Sequence, residues 1–181
     1  LANHKGSVFG SQGQKQPSQK LFETLIYDKV KNLKNGEPIF VEAESNKIGN
    51  LHIPREFWKL MQSSPQIEIS ATVEQRAQFL VEEYSEITTD LDLLEKQITS
   101  LSTIAGPKVV ESWLRMAKNK EFIELAKQLI EKHYDPRYKR GLLRKKKEVF
   151  ATLKIDDISR KGLSLMVDRI LQTANNRMKT L

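Results

Sequence analysis

The chain has no cysteine. Disulfides, thiolate-rich zinc sites and a thiolate nucleophile are therefore excluded from its 181 residues. That composition fits a reducing, cytoplasmic compartment. Histidine is scarce: His4, His52 and His133 lie far apart, with no ligand spacing such as H-x-x-x-H. No metal site is expected, and the three histidines read as packing or surface residues. No apolar run approaches the roughly 18 residues that a membrane-spanning helix needs, so no membrane partner is expected. Leu1-Ala2-Asn3-His4-Lys5 is not a secretory lead-in. Leu1 stands where an initiating Met would, so a truncated or processed start is expected. The phosphate-cradling pattern G-x-x-x-x-G-K-[ST] occurs nowhere.

What is present suits a soluble globular chain, with 39% hydrophobic and 29% charged residues. The net charge of +7 is unevenly placed. Residues 1–72 carry 9 basic and 7 acidic side chains, residues 73–106 carry 2 and 7, and residues 107–181 carry 19 and 9. An acidic middle followed by a strongly basic tail points to a polyanionic partner for the tail.

Residues 1–16 are rich in Gly, Ser and Gln and read as a loop. Ser18 can cap a helix striped by Leu21, Phe22, Leu25, Ile26, Val30 and Leu33, which Gly36 would end. Ile39-Phe40-Val41 has the character of a buried parallel strand. Pro54 would start a short helix bearing Phe57, Trp58 and Met61. Ile67, Ile69 and Ala71 alternate with polar residues, the strand period. Thr72 and Gln75 form a capping box for a helix with Ala77, Leu80, Val81 and Tyr84. From about residue 89 the pattern is helical, with seams at Leu91–Leu101, Val109–Leu114 and Phe122–Ile130, the last ending before Tyr134-Asp135-Pro136. Residues 149–155 look like a strand returning to the sheet, and Asp156 or Asp157 would cap a final helix. The fold class expected is α/β: a partial parallel sheet with crossover helices, then a mostly helical basic region. The expected divisions are 1–88, 89–148 with the basic segment, and 149–181. Two evident strands are too few for a stable sheet, so partner strands are expected from elsewhere.

Three segments could carry chemistry. In Ala2–Gly10 the glycines let successive N–H groups converge on an anion, with Lys5 and Ser7 adding charge and a donor; a functionless flexible loop is the other reading. Val41-Glu42-Ala43-Glu44-Ser45 puts carboxylates at the C-terminal end of an apolar run, where open α/β sheets bind ligands. There Glu44 would hold a metal-bound water or a ribose hydroxyl, unless the segment is simply an acidic turn capped by Ser45. The third runs from Tyr134 to Lys147, and seven of the eleven residues from Arg137 are basic, with Tyr134 and Tyr138 at its start. Cations release counterions from phosphates, and tyrosine or arginine planes stack on unpaired bases. A solvated basic face is the alternative.

Leu1–Gly10, Gln16-Pro17-Ser18-Gln19 with Phe22-Glu23, Val41–Ser45 with Ile48-Gly49, Pro54, and Tyr134-Asp135-Pro136-Arg137-Tyr138 together resemble the tRNA 2-selenouridine synthase family. The opening A-N-H-[KR]-G-S-x-F-G stretch is the most specific of them. The resemblance implies an N-terminal rhodanese-like domain with a catalytic cysteine, then a P-loop domain. It implies exchange of sulfur for selenium at the wobble 2-thiouridine, with selenophosphate and geranyl diphosphate as substrates and an S-geranylated intermediate. These residues would begin just after the Walker A helix and the following strand. The cysteine and the phosphate-cradling lysine would then lie elsewhere, and this fragment alone is expected to be inactive. Within the resemblance His4, Lys5 and Ser7 would line the phosphate end of the site, and Glu44 and Ser45 its sheet edge. Tyr134, Arg137, Tyr138, Lys139, Arg140, Arg144, Lys145, Lys146 and Lys147 would grip the tRNA anticodon arm. The partners implied are tRNA and the P-loop and rhodanese-like parts. Lys5 stands where many relatives have arginine, which keeps the charge but loses the bidentate fork.

Two other classes compete with an enzyme part. One is a self-contained basic nucleic-acid-binding module without catalysis, and the other an α/β interaction domain with a solubilising tail. A bare strand edge and exposed apolar face would favour the enzyme part; a closed, well-packed sheet would favour the module.

Overall fold

The computed structural model describes residues 1–4, 9, 15–34, 38–42, 45–138 and 148–179. The chain is mixed α/β and forms two compact units, Leu1–Gln66 with Gln172–Leu181, and Ile67–Leu171.

In the first unit, α1 (Gln19–Lys31) starts where the sequence places it, with the Ser18 hydroxyl accepting the Leu21 N–H at 3.2 Å. It ends earlier than Gly36, which lies outside the described residues. Asn32 takes the C-cap position, and its side-chain amide donates to the Asp28 carbonyl at 2.7 Å, satisfying one of the helix's last acceptors. Of the expected stripe only Phe22 is buried, and Leu21, Val30 and Leu33 are exposed. A hairpin follows, β1 (Lys47–Ile48) and β2 (Leu51–His52), antiparallel with Ile48 opposite Leu51. Phe22, Leu51 and Ala2 form a small core, with Ile26 and Ile48 packed against it. Pro54 precedes α2 (Arg55–Ser63), which buries Met61.

Ile39-Phe40-Val41 departs from expectation. The run forms no strand, and its side chains are 54%, 48% and 45% exposed. An extended apolar run becomes a strand only when a neighbour takes its N–H and C=O groups. Among the described residues no strand pairs with it.

In the second unit, β3 (Gln66–Ser70) pairs with β4 (Val149–Lys154). The Ile155 N–H donates to the Ser70 carbonyl at 2.8 Å, so the C-terminal ends of both strands meet and the strands run parallel. Residues 149–154 thus return to the sheet, as their composition suggests. Among the described residues these two strands alone form the ladder, each with an open edge, and Ile69 and Val149 are exposed.

Between the strands lie α3 (Val73–Glu83), α4 (Ser85–Thr89), α5 (Leu91–Thr99), α6 (Ser102–Ala105), α7 (Pro107–Lys118) and α8 (Phe122–Leu129). The Thr72–Gln75 capping box forms in both directions. Gly106 takes a φ of +84°, which only glycine adopts cheaply, and Pro107 opens α7 with its ring φ pre-set for a helix. Helices α5 and α7 pack together, burying Leu94, Ile98, Val110, Trp113 and Ala117. A second core joins Ala77 of α3 to Ala126 and Ile130, with Val73, Leu80, Val81 and Ile123 against it.

The helix begun by α8 does not stop before Tyr134, as its sequence suggests. It passes through a π-turn (Ile130–Tyr134) and stays helical over 135–138. The Asp135 N–H reaches back five residues to the Ile130 carbonyl. A proline ring collides with the carbonyl four residues back in a regular helix, and the wider turn just before Pro136 relieves that collision.

The last helix, α9 (Arg160–Met178), is capped by Ser159 rather than by either aspartate. The Ser159 hydroxyl accepts the Gly162 N–H at 3.2 Å and donates to Asp157 at 2.6 Å. Two bonds from Ser159 lower the Asp157 carboxylate pKa from its ordinary value. Gly162 leaves no room for a side chain, because a Cβ there would overlap the Asp157 carbonyl and side chain. Gly162→Ala should therefore lower the melting temperature. The gain of about 1 kcal/mol in helix propensity is outweighed by about 1–3 kcal/mol of overpacking. A thermal melt of the variant equal to or above wild type would show that the turn yields freely.

Candidate functional site

The site residues expected from sequence fall in two places. In the first unit, His4 and Ser45 are described, whereas Lys5, Ser7 and Glu44 lie outside the described residues. His4 is half-buried beside the hairpin turn, its ring close to Gly49. Gly49 has φ +60°, and a Cβ there would overlap the Gln16 side chain and the His4 ring. The turn must be glycine for both reasons.

Gln16 joins the His4 segment to the hairpin. Its amide donates to the Ala2 carbonyl at 3.1 Å and the Ile48 carbonyl at 3.0 Å, and its oxygen accepts the Asn50 N–H at 2.8 Å. Gln19 treats β2 the same way, donating to the His52 carbonyl at 2.7 Å and accepting the His52 N–H at 2.9 Å. Each glutamine thus binds backbone as a neighbouring strand would. The arrangement fixes the backbone just before His4, a seat for the start of a Gly/Ser-rich segment. Ser45 is exposed, and its hydroxyl accepts the Lys47 N–H at 3.1 Å, closing the turn before β1.

In the second unit, Tyr134, Arg137 and Tyr138 are described, whereas Lys139, Arg140, Arg144, Lys145, Lys146 and Lys147 lie outside the described residues. Tyr134 closes the π-turn, half-buried, with the His133 ring edge-on at 4.8 Å. Arg137 and Tyr138 are exposed on the last described helical turn. π-turns inside helices are enriched at functional sites. His133 is only 4% exposed, and burial, then the nearby Arg137 charge, lower its pKa from the ordinary 6.5.

Sequence reasoning missed the contacts that hold this region. Arg76 meets Asp135 with a two-pronged ion pair, at 2.6 and 3.0 Å. Gln75, besides capping α3, donates to the Ile155 and Asp156 carbonyls at 3.3 and 3.1 Å. Lys127 pairs with Glu74, a hydrogen bond that raises the lysine pKa despite some desolvation. The one available signal was Arg76 itself, one of two cations in the acidic stretch 73–106. Among the described residues no group of three His, Asp or Glu side chains is placed to hold a metal ion. Among them also no helix is long and apolar enough to cross a membrane.

Comparison with known proteins bears on the first unit and the start of the second. The family model for the tRNA 2-selenouridine synthase AAA domain matches residues 1–97. A tRNA 2-selenouridine synthase from Cupriavidus pinatubonensis is 34% identical over 119 residues, covering 65% of this chain and 31% of the relative. One from Pseudomonas syringae is 36% identical over 86 residues, covering 46% and 24%. One from Psychromonas ingrahamii is 30% identical over 115 residues, covering 63% and 30%. The chain thus spans less than a third of the length of these curated relatives. No solved structure matches it.

The buried His133 gives a test of the second unit. Above pH 6.5 the ring is neutral both folded and unfolded, and it makes stability no function of pH. As pH falls through 6.5 the unfolded chain binds a proton that the folded site resists, so stability drops until the site's own lower pKa is reached. Urea titrations between pH 7.5 and about 5 should show this loss in wild type and a smaller one in His133→Phe. Parallel profiles for the two proteins would mean that His133 titrates normally.

Proposed function

The chain belongs to the tRNA 2-selenouridine synthase family, and on that premise we propose that it is the substrate-gripping part of a transferase acting on tRNA. The reaction is replacement of sulfur by selenium at the wobble 2-thiouridine, through an S-geranylated intermediate, with selenophosphate and geranyl diphosphate as co-substrates. The first unit contributes phosphate binding: His4, seated against the hairpin by Gln16 and Gly49, leads into Lys5 and Ser7, which supply charge and a donor. Ser45 and Glu44 stand at the edge of that site. The second unit contributes tRNA contact through Tyr134, Arg137, Tyr138 and the basic run to Lys147. Cations there neutralise phosphates of the anticodon arm, and the tyrosines offer stacking surfaces.

The observation that carries this reading is the family match over residues 1–97, which includes the His4 segment and the hairpin that seats it. The half-exposed run Ile39–Val41 and, among the described residues, the open edges of β3 and β4 support a second point: these surfaces serve the P-loop and rhodanese-like parts of the transferase as docking surfaces. A self-contained binding module would have little reason to leave a β-prone apolar run half exposed.

Binding of an anticodon stem–loop RNA to the chain, followed by fluorescence anisotropy across salt, tests the proposal. Affinity should fall steeply as salt rises. Reversing charge at Lys145, Lys146 and Lys147 should weaken binding and flatten the salt slope by about 2–3. An affinity that ignores salt, or is unaltered by the reversal, removes the basic segment from the RNA site.

A further inference from the structure

Asp135 opens the helical turn that follows the π-turn and carries Arg137 and Tyr138. Arg76 holds Asp135 there, and Gln75 holds the Ile155 and Asp156 carbonyls just past the C-terminal end of β4. The two anchors are adjacent in sequence, in the first turn of α3, and Thr72 fixes that turn through its capping box. Arg169 of α9 adds a bond to the Lys154 carbonyl at 3.2 Å.

Charge gives the arrangement a purpose. Asp135 is the only acid between Glu131 and Glu148, and it lies two residues before Arg137. A bare carboxylate there would repel a phosphate backbone and compete with it for Arg137. The Arg76 fork takes both Asp135 oxygens, which cancels that charge and fixes the helical turn presenting Arg137 and Tyr138.

From this we infer that Arg76 is a positioning residue for RNA binding: it touches no RNA itself, but sets how Arg137 and Tyr138 are presented. The inference rests on the tRNA-contact reading above.

Asp135→Asn separates the possibilities. It removes a negative charge, so electrostatics alone predicts tighter RNA binding, and the same follows if Arg76 contacts phosphate and is released. Positioning predicts the opposite. In anisotropy titrations of the chain with an anticodon stem–loop RNA, Asp135→Asn and Arg76→Gln should each weaken binding about fivefold, and the double variant no more than either alone. The salt slope should shrink by about 1 in each. Arg76→Lys, which keeps charge but not the fork, should recover part of the affinity. Thermal melts establish that each variant is folded at the titration temperature. If wild type binds RNA and Asp135→Asn binds as tightly or more tightly, the positioning role is overturned and the tRNA reading stands. If wild type shows no salt-dependent binding, the tRNA reading fails and takes this inference with it.

Discussion

The two-pronged contact between Arg76 and Asp135 is the constraint on which the second unit depends. It spans 59 positions of sequence and joins an acidic helix to the start of the basic tail. Both side chains are partly open to solvent, so the pair adds modestly to stability. Its value lies in direction. A planar guanidinium on a carboxylate admits one relative orientation of the two helices, which a lysine would leave loose. The neighbouring contacts share that turn: Glu74 reaches Lys127 on α8, and Gln75 reaches the end of β4. Three successive residues of α3 thus tie it to three other places in the chain.

The first unit solves a different problem with different chemistry. Its hairpin has two residues in each strand, too short to stand alone. Gln16 and Gln19 compensate, each offering a donor and an acceptor to hairpin backbone as a third strand would. Side chains replace a strand where the chain is too short to supply one. The same economy is missing at Ile39–Val41, where among the described residues no strand pairs with the run.

What was legible in the sequence was local. Ser18, and Thr72 with Gln75, announce their helices because a cap is a matter of three consecutive residues. The alternation at Ile67 and Ile69 and the run at 149–155 announced β3 and β4, and the shared sheet followed from a topology rule rather than from any pairwise signal. The strand at Ile39–Val41 was misread because composition records β-propensity but not the presence of a partner. The helix through Tyr134 was missed because proline is a breaker only where the turn cannot widen. The cap falls at Ser159, two or three residues past the expected Asp157 or Asp156, because an aspartate upstream looks as good; the Asp157 carboxylate in fact supports the serine. At the candidate sites, the residue types at His4 and Arg137 could be read, whereas the groups that seat them, Gln16 and Arg76, act across distance and leave no spacing to find.

The π-turn at Ile130–Tyr134 also acts as a phase shift. Each residue advances an α-helix by about 100°, and one widened turn absorbs one extra residue. Everything beyond it is therefore rotated by about that angle relative to a regular helix of the same sequence. Asp135 owes its facing toward Arg76 to this rotation. Losing a single residue from the turn would restore regular winding and keep every downstream side chain, yet aim the carboxylate at solvent. The register of this one turn, more than the identity of the residues after it, decides which way Arg137 and Tyr138 face.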